Sequence, residues 1–194
     1  MRFARLAPCS VLLACFGCSD PVPPTPQAAF SVTFLDSGPD GSQGCEVTGH
    51  NATLGDVTPT TKDKLIKNNV EGAEVECSVT GSGSFNLDLS AFQGSNGLFI
   101  TVAGLKPRGS GGPTRDNPAP GTVGFHSSTT ALEVYASSGT GCNFYFADDS
   151  NQDVAAGRVW LTFNCPEIVQ SMSKCELGDS YAIFENCTGT AEED

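Results

Sequence analysis

The chain has 194 residues, with ten basic and 22 acidic side chains and a formal net charge of −12. That balance excludes nucleic acid and anionic membrane surfaces as electrostatic partners, because both repel it. With 22 glycines, 12 prolines and 39% hydrophobic residues, the chain is turn-rich yet apolar enough to bury one core.

Arg2 and Arg5 form a short basic region ahead of an apolar run, Leu6 to Ala14, interrupted by Pro8 and Ser10. The run is far shorter than the roughly 20 residues of a membrane-spanning helix, so it reads as a targeting peptide. It ends in two overlapping segments, Leu12-Leu13-Ala14-Cys15 and Cys15-Phe16-Gly17-Cys18. These resemble the lipobox of bacterial lipoproteins, a small residue directly before a cysteine with Leu three residues ahead of it. The resemblance implies a diacylglyceryl group on that cysteine and cleavage just before it. Cys15 fits the pattern with Leu12 and Ala14; Cys18 has Gly17 at −1 but Cys15 at −3. Cys18 is nevertheless the expected site, with Cys15 the alternative. Cleavage before Cys15 would leave a leader of only 14 residues, and the tether Pro21, Pro23, Pro24 and Pro26 follows Cys18 closely. The expected organisation is a signal peptide at 1–17, a tether at 18–28, a β domain at 29–190 and an acidic tail at 191–194. The implied location is the bacterial cell envelope, periplasmic or surface-facing, with the membrane as partner through the N-terminal lipid. Removing residues 1–17 takes two basic residues and no acidic one, so the charge moves from −12 to −14.

From Phe30 onward the hydrophobic period is two. Phe30, Val32 and Phe34 alternate with polar neighbours. In the segment 74–90, Val75, Cys77 and Val79 face one way, Gly81-Ser82-Gly83 turns, and Phe85, Leu87 and Leu89 return on the same face, as a half-buried antiparallel pair requires. Further strands are expected at 45–50, 98–103, 121–126, 131–136, 142–147, 158–165 and 181–186. The segments Cys45–Gly49 and Cys77–Gly81 look alike, which similar strand ends explain as well as duplication does. One helical window, 60–69, offers a Thr N-cap ahead of Leu65 and Ile66. A long Gly/Pro loop at 106–121 holds Lys106, Arg108 and Arg115. The expected fold is an all-β antiparallel sandwich stapled by disulfides, with one short helix at most and a closed barrel as the alternative. A lipobox, a proline tether and a cysteine-stapled β domain together are similar to the small lipoproteins of myxobacteria and their relatives.

Six cysteines follow Cys18, and none forms a C-x-x-C pair. With only His50 and His126 in the chain, zinc spacing is absent, and the even number reads as disulfides made in an oxidising compartment. Parity also favours Cys18 as the lipid-bearing residue, since lipid on Cys15 would leave Cys18 as a seventh, unpaired thiol. If 142–146 and 161–165 pair so that Phe144 lies opposite Phe163, then Phe146 meets Leu161 and Cys142 meets Cys165. Four cysteines remain; short spacing predicts Cys175–Cys187, leaving Cys45–Cys77.

Chemistry-bearing patterns are sparse. His126-Ser127-Ser128 contains two parts of a hydrolytic triad, but neighbours along a strand point to opposite faces. His50 is expected to end a strand in solvent. Asp149, Asn151 and Asp153 have the 1, 3, 5 spacing of a calcium loop, which then has Val154 where Gly is needed and Trp160 where Glu is needed. Asp36 and Asp40 lie in a second acidic loop. The Gly-rich run at 109–112 has no phosphate-loop lysine after it. Trp160 alternates with Val159, Leu161 and Phe163, which places it half-exposed on the outer face, under a loop or against a ligand. No catalytic residue, cofactor or essential metal is expected. The leading reading is an envelope-anchored lipoprotein with a non-enzymatic binding or structural domain. The alternatives are a calcium-dependent adhesin or carbohydrate-binding module, and a secreted hydrolase.

Overall fold

A computed structural model describes residues 23–38, 44–137 and 141–189. Cys15, Cys18, the leader, Asp40 and the acidic tail lie outside the described residues.

The first strand, β1 (Gln27–Leu35), shows why the chain is all-β: Phe30, Val32 and Phe34 are buried at alternate positions, which only an extended chain can turn to one side. The strands that follow are β2 (His50–Leu54), β3 (Asp56–Val57), β4 (Lys62–Lys64), β5 (Ile66–Lys67), β6 (Ala73–Ser82) and β7 (Ser84–Gln93). They are succeeded by β8 (Asn96–Leu105), β9 (Ala119–His126), β10 (Tyr135–Ser137), β11 (Cys142–Tyr145), β12 (Asp153–Ala155), β13 (Arg158–Gln170) and β14 (Ser173–Glu185). The main sheet is antiparallel and runs β2-β1-β14-β13-β10-β9-β8-β7-β6. It folds over itself into a sandwich-like arrangement, so that inner side chains of β1, β13 and β14 meet those of β6 to β9 in one core. Its β6 edge is closed by the chain just beyond β14: Thr188 exchanges backbone hydrogen bonds with Cys77 and Val79.

Strand β13 is the spine. Along one edge it pairs with β14 for almost its whole length; along the other, β12, β11 and β10 lie end to end against it. Pro166, which cannot donate to a ladder, falls where the β13–β14 register shifts, between Cys165 and Ile168. In the β6–β7 hairpin Cys77 faces Leu89 and Val79 faces Leu87 across the turn. Phe144 faces Phe163 with stacked rings 5.7 Å apart, and Cys142 is joined to Cys165. The connection between those arms is more than a turn, because it contains β12.

Three expectations about elements are corrected. The 60–69 window is β4 and β5, not a helix: extended backbone sends Ile66 into the main core and its neighbour Leu65 to a second cluster outside the sheet, a division no helix face could make. Residues 45–49 are not strand; β2 begins at His50. The 131–136 strand shrinks to β10 because Ala131 and Leu132 adopt positive φ in a turn. Among the described residues helical backbone is confined to one 3-10 turn, Arg108–Ser110.

Two disulfide expectations are also corrected, since Cys45 is joined to Cys175 and Cys77 to Cys187. Cys175 and Cys187 cannot meet because β14 holds the chain between them extended. Twelve residues at roughly 3.3 Å each carry the two about 40 Å apart, whereas a disulfide needs Cα atoms within about 7 Å. Loop-closure entropy then ranks the bridges, whose sequence separations are 130 for Cys45–Cys175 and 23 for Cys142–Cys165. Replacing both cysteines by alanine should cost about 5 kcal/mol for the first and about 3 kcal/mol for the second. Urea unfolding of the two double variants measures this, and equal costs would show that chain entropy does not govern their contribution.

Candidate functional site

The outer face of β13 carries the polar and aromatic residues of interest, and register explains which of them meet. Trp160 lies opposite Ile183 on β14, and Ile183 lies opposite Ala29 on β1, so the three form a row across the sheet. The β3–β4 hairpin lies over this row as a flap, with Val57 and Leu65 closing a second hydrophobic cluster. Gly55 makes that approach possible: its φ is +66°, and a Cβ there would lie 2.2 Å from Lys64 O and 2.9 Å from the Ala29 Cβ. Trp160 is thus 7% exposed rather than half-exposed. Its Nε1 is buried with no acceptor among the described residues, a condition that costs about 1–3 kcal/mol.

Beside the flap opens a cleft of about 240 Å³ whose floor includes Trp160 and Ile183 and whose rim carries Lys62, Asn151, Asp153, Arg158 and Glu185. Lys62 Nζ donates to Glu185 Oε1 at 2.5 Å, and Gln27 Nε2 donates to Glu185 Oε2 at 3.0 Å. Burial pushes the Glu185 carboxyl up, but these donors outweigh it and hold it below the usual range. The Arg158 side chain, by contrast, makes no hydrogen bond or ion pair with any described residue, although its charge reaches Glu185.

The calcium-like loop is organised around an arginine. Arg108 donates through Nε to Gln152 O at 3.0 Å, and through one terminal nitrogen to Ala147 O at 2.7 Å and Ser150 Oγ at 2.9 Å. Asp153 Oδ1 accepts from the backbone N–H groups of Arg108 and Val154. A guanidinium therefore fills the oxygen-lined place that a cation would need. Asp149 and Asn151 are exposed, and no group of three or more His, Cys, Asp or Glu among the described residues could hold a metal.

A second row crosses the sheet one pleat away: Tyr145, Thr162 and Tyr181. Tyr145 donates to Asp179 Oδ1 at 2.8 Å, and Arg115 pairs with Asp179 Oδ2 while its guanidinium lies 5.0 Å above the Tyr145 ring. Burial, and then the hydrogen bond to Asp179, push the Tyr145 hydroxyl pKa up. Burial also works against the charged form of Asp179, but hydrogen bonds from Arg115, Tyr145 and Asn164 outweigh it and lower the Asp179 pKa.

The triad-like residues fall apart in one way and come together in another. His126 lies on the outer face over Gly97, where a Cβ would come within 2.1 Å of its Nε2, and stacks on Phe92. Its neighbour Ser128 is exposed. Ser127 instead meets His50, 77 residues away, with Oγ 2.7 Å from Nε2. Thr48 O can only accept, so His50 Nδ1 donates in that 2.8 Å bond, which in the neutral ring leaves Nε2 to accept from the serine. The geometry is that of a nucleophile and base, yet Ser127 is 1% exposed and its Oγ also accepts from the backbone N–H of Thr129 and Thr130. The pair closes a turn. Nothing in the sequence at His50 pointed to it; only the register of β2 on β1 carries it there. His50 is therefore not an isolated strand end in solvent, as expected, but stacks on Phe34 at 5.0 Å.

No family model matches the chain, and no curated protein or solved structure matches it.

Two outcomes follow from this geometry. Millimolar calcium should leave the thermal midpoint unchanged, whereas Arg108→Ala should cost about 2 kcal/mol by freeing the 147–153 loop; calorimetry reads both. Because the folded-state pKa of Asp179 is depressed, its contribution is present above the unfolded value, near pH 4, and is lost as pH falls through the folded value. Asp179→Asn should therefore flatten the acid limb of the stability profile, and an unchanged limb would assign acid sensitivity to other carboxylates.

Proposed function

We propose that this protein is a lipid-anchored protein of the bacterial cell envelope whose β domain binds or braces rather than catalyses. The cysteine pairing carries this reading. All six cysteines after Cys18 are joined in disulfides, which suits an oxidising compartment and makes Cys18 the one surplus cysteine if cleavage falls just before it. The sequence adds the lipobox-like segments and the proline tether in the order that anchor, spacer and domain require. A non-catalytic role is supported by the buried, fully committed Ser127 hydroxyl and by the guanidinium seated in the acidic loop.

Mass spectrometry of the mature protein, extracted with detergent from a bacterial host, tests the reading. The expected N-terminal peptide begins Cys18-Ser19-Asp20 and carries a diacylglyceryl group. A lipidated peptide beginning Cys15-Phe16 would move the cleavage site, and an unlipidated product that stays in the aqueous phase would overturn the anchoring.

A further inference from the structure

The cleft beside the flap holds a guanidinium that no described residue pairs with. Arg158 has no partner among the described residues, and the buried Trp160 Nε1 has no acceptor. The carboxylates on the rim are already engaged: Glu185 by Lys62 and Gln27, and Asp153 by two backbone N–H groups. A ligand that engages Arg158 must bring acceptors. A guanidinium whose donors no described residue engages matches a planar carboxylate, which it holds through two parallel hydrogen bonds. A phosphate would set up to two negative charges beside Glu185 and Asp153 in a chain of net charge −12. A sugar ring would need an aromatic face to lie on, and Trp160 is 7% exposed. A groove of about 440 Å³ adjoins the cleft and shares Arg158 and Glu185 with it.

We propose that the cleft receives the C-terminal carboxylate of an extended peptide. Arg158 is the donor, Trp160 and Ile183 are the floor under the last side chain, and the larger groove holds the preceding residues. This rests on the domain's being a binding module and names its ligand class. The mass of the mature N-terminus tests the anchor separately, so either idea can fail alone.

The chain contains one tryptophan, so a single indole N–H resonance and a single fluorophore report on the cleft. The mature full-length protein, in detergent, is titrated with acetyl-trialanine bearing a free carboxylate and with its C-terminal amide. The acid should shift the indole resonance saturably and change Trp160 emission. The amide should bind at least tenfold more weakly, and Arg158→Gln should weaken the acid by at least tenfold. Arg158→Lys, which keeps the charge and loses the fork, should fall between, with the thermal midpoint unchanged in both variants. Equal binding of acid and amide, or no shift with either, would overturn the proposal. So would tighter binding of phosphate or galacturonate than of the peptide. A change in Trp160 emission on deleting residues 190–194, with no peptide response in either form, would assign the cleft to the chain's own acidic tail and overturn it as well.

Discussion

Strand β13 must keep both of its faces dry, and the rest of the structure is arranged around that demand. Val159, Leu161, Phe163 and Cys165 point inward, and Trp160 and Thr162 point outward, yet all six are buried. The inward set is covered by folding the sheet over itself, which brings β6 to β9 across the core. The outward set has no second sheet to lie against, and short pieces of chain cover it instead. The β3–β4 flap lies over Trp160, and Gln152 accepts the Thr162 hydroxyl at 3.0 Å. Two-sided burial explains why the sequence of β13 reads as a nearly continuous apolar run at its start rather than as a clean alternation. It also explains why a flap of only two short strands is retained outside the main sheet.

The disulfides sit where such a sheet needs help. Cys77–Cys187 ties edge strand β6 to the segment beyond β14, beside the Ser78–Thr188 bridge. Cys45–Cys175 fixes the long connection between β1 and β2 to the start of β14, where Lys174 N also donates to Gly44 O. Cys142–Cys165 clamps a four-residue strand onto β13. Two of them therefore hold chain outside the regular ladders, the β1–β2 connection and the segment beyond β14. Two of the three link residues more than a hundred positions apart. Closing such loops before any contact compensates for their entropy is slow, and oxidation late in folding would lock pairings that the strands have already made.

What the sequence disclosed and what it hid divide along the range of the interactions. Period-two alternation exposed β1, the β6–β7 hairpin and the Phe144–Phe163 register, because each is written in consecutive residues. The Cys142–Cys165 geometry follows from the same local ladder. The other two disulfides depend on where β14 begins. Its first half, Ser173 to Ser180, alternates only over Lys174 to Leu177 before Gly178 and Asp179 interrupt it, and the expected strand begins only at 181. The Trp160 face was assigned correctly from alternation, but its burial was not visible, since the flap comes from residues a hundred positions earlier. The His50–Ser127 contact was hidden for the same reason, and the adjacent His126 drew attention only because it is adjacent.

Three arginines follow the leader, and comparing them separates structure from opportunity. Arg108 spends its donors on carbonyls and a hydroxyl and so substitutes for a cation in an acidic loop. Arg115 is neutralised by Asp179 and lies over Tyr145. Both are exposed by position yet committed by contact, and their removal would be felt as lost order in the loops they hold. Arg158 has neither kind of commitment among the described residues, although Glu185 and Asp153 line the same cleft. In a chain with more than twice as many acids as bases, a cation close to carboxylates would ordinarily be drawn into an ion pair. Here the nearest carboxylates are already engaged, Glu185 by the flap through Lys62 and Asp153 by the 3-10 turn through the N–H of Arg108. The same contacts that pin the covers over β13 therefore leave its first residue without an ion pair among the described residues, two positions before a buried indole N–H that has no acceptor among them.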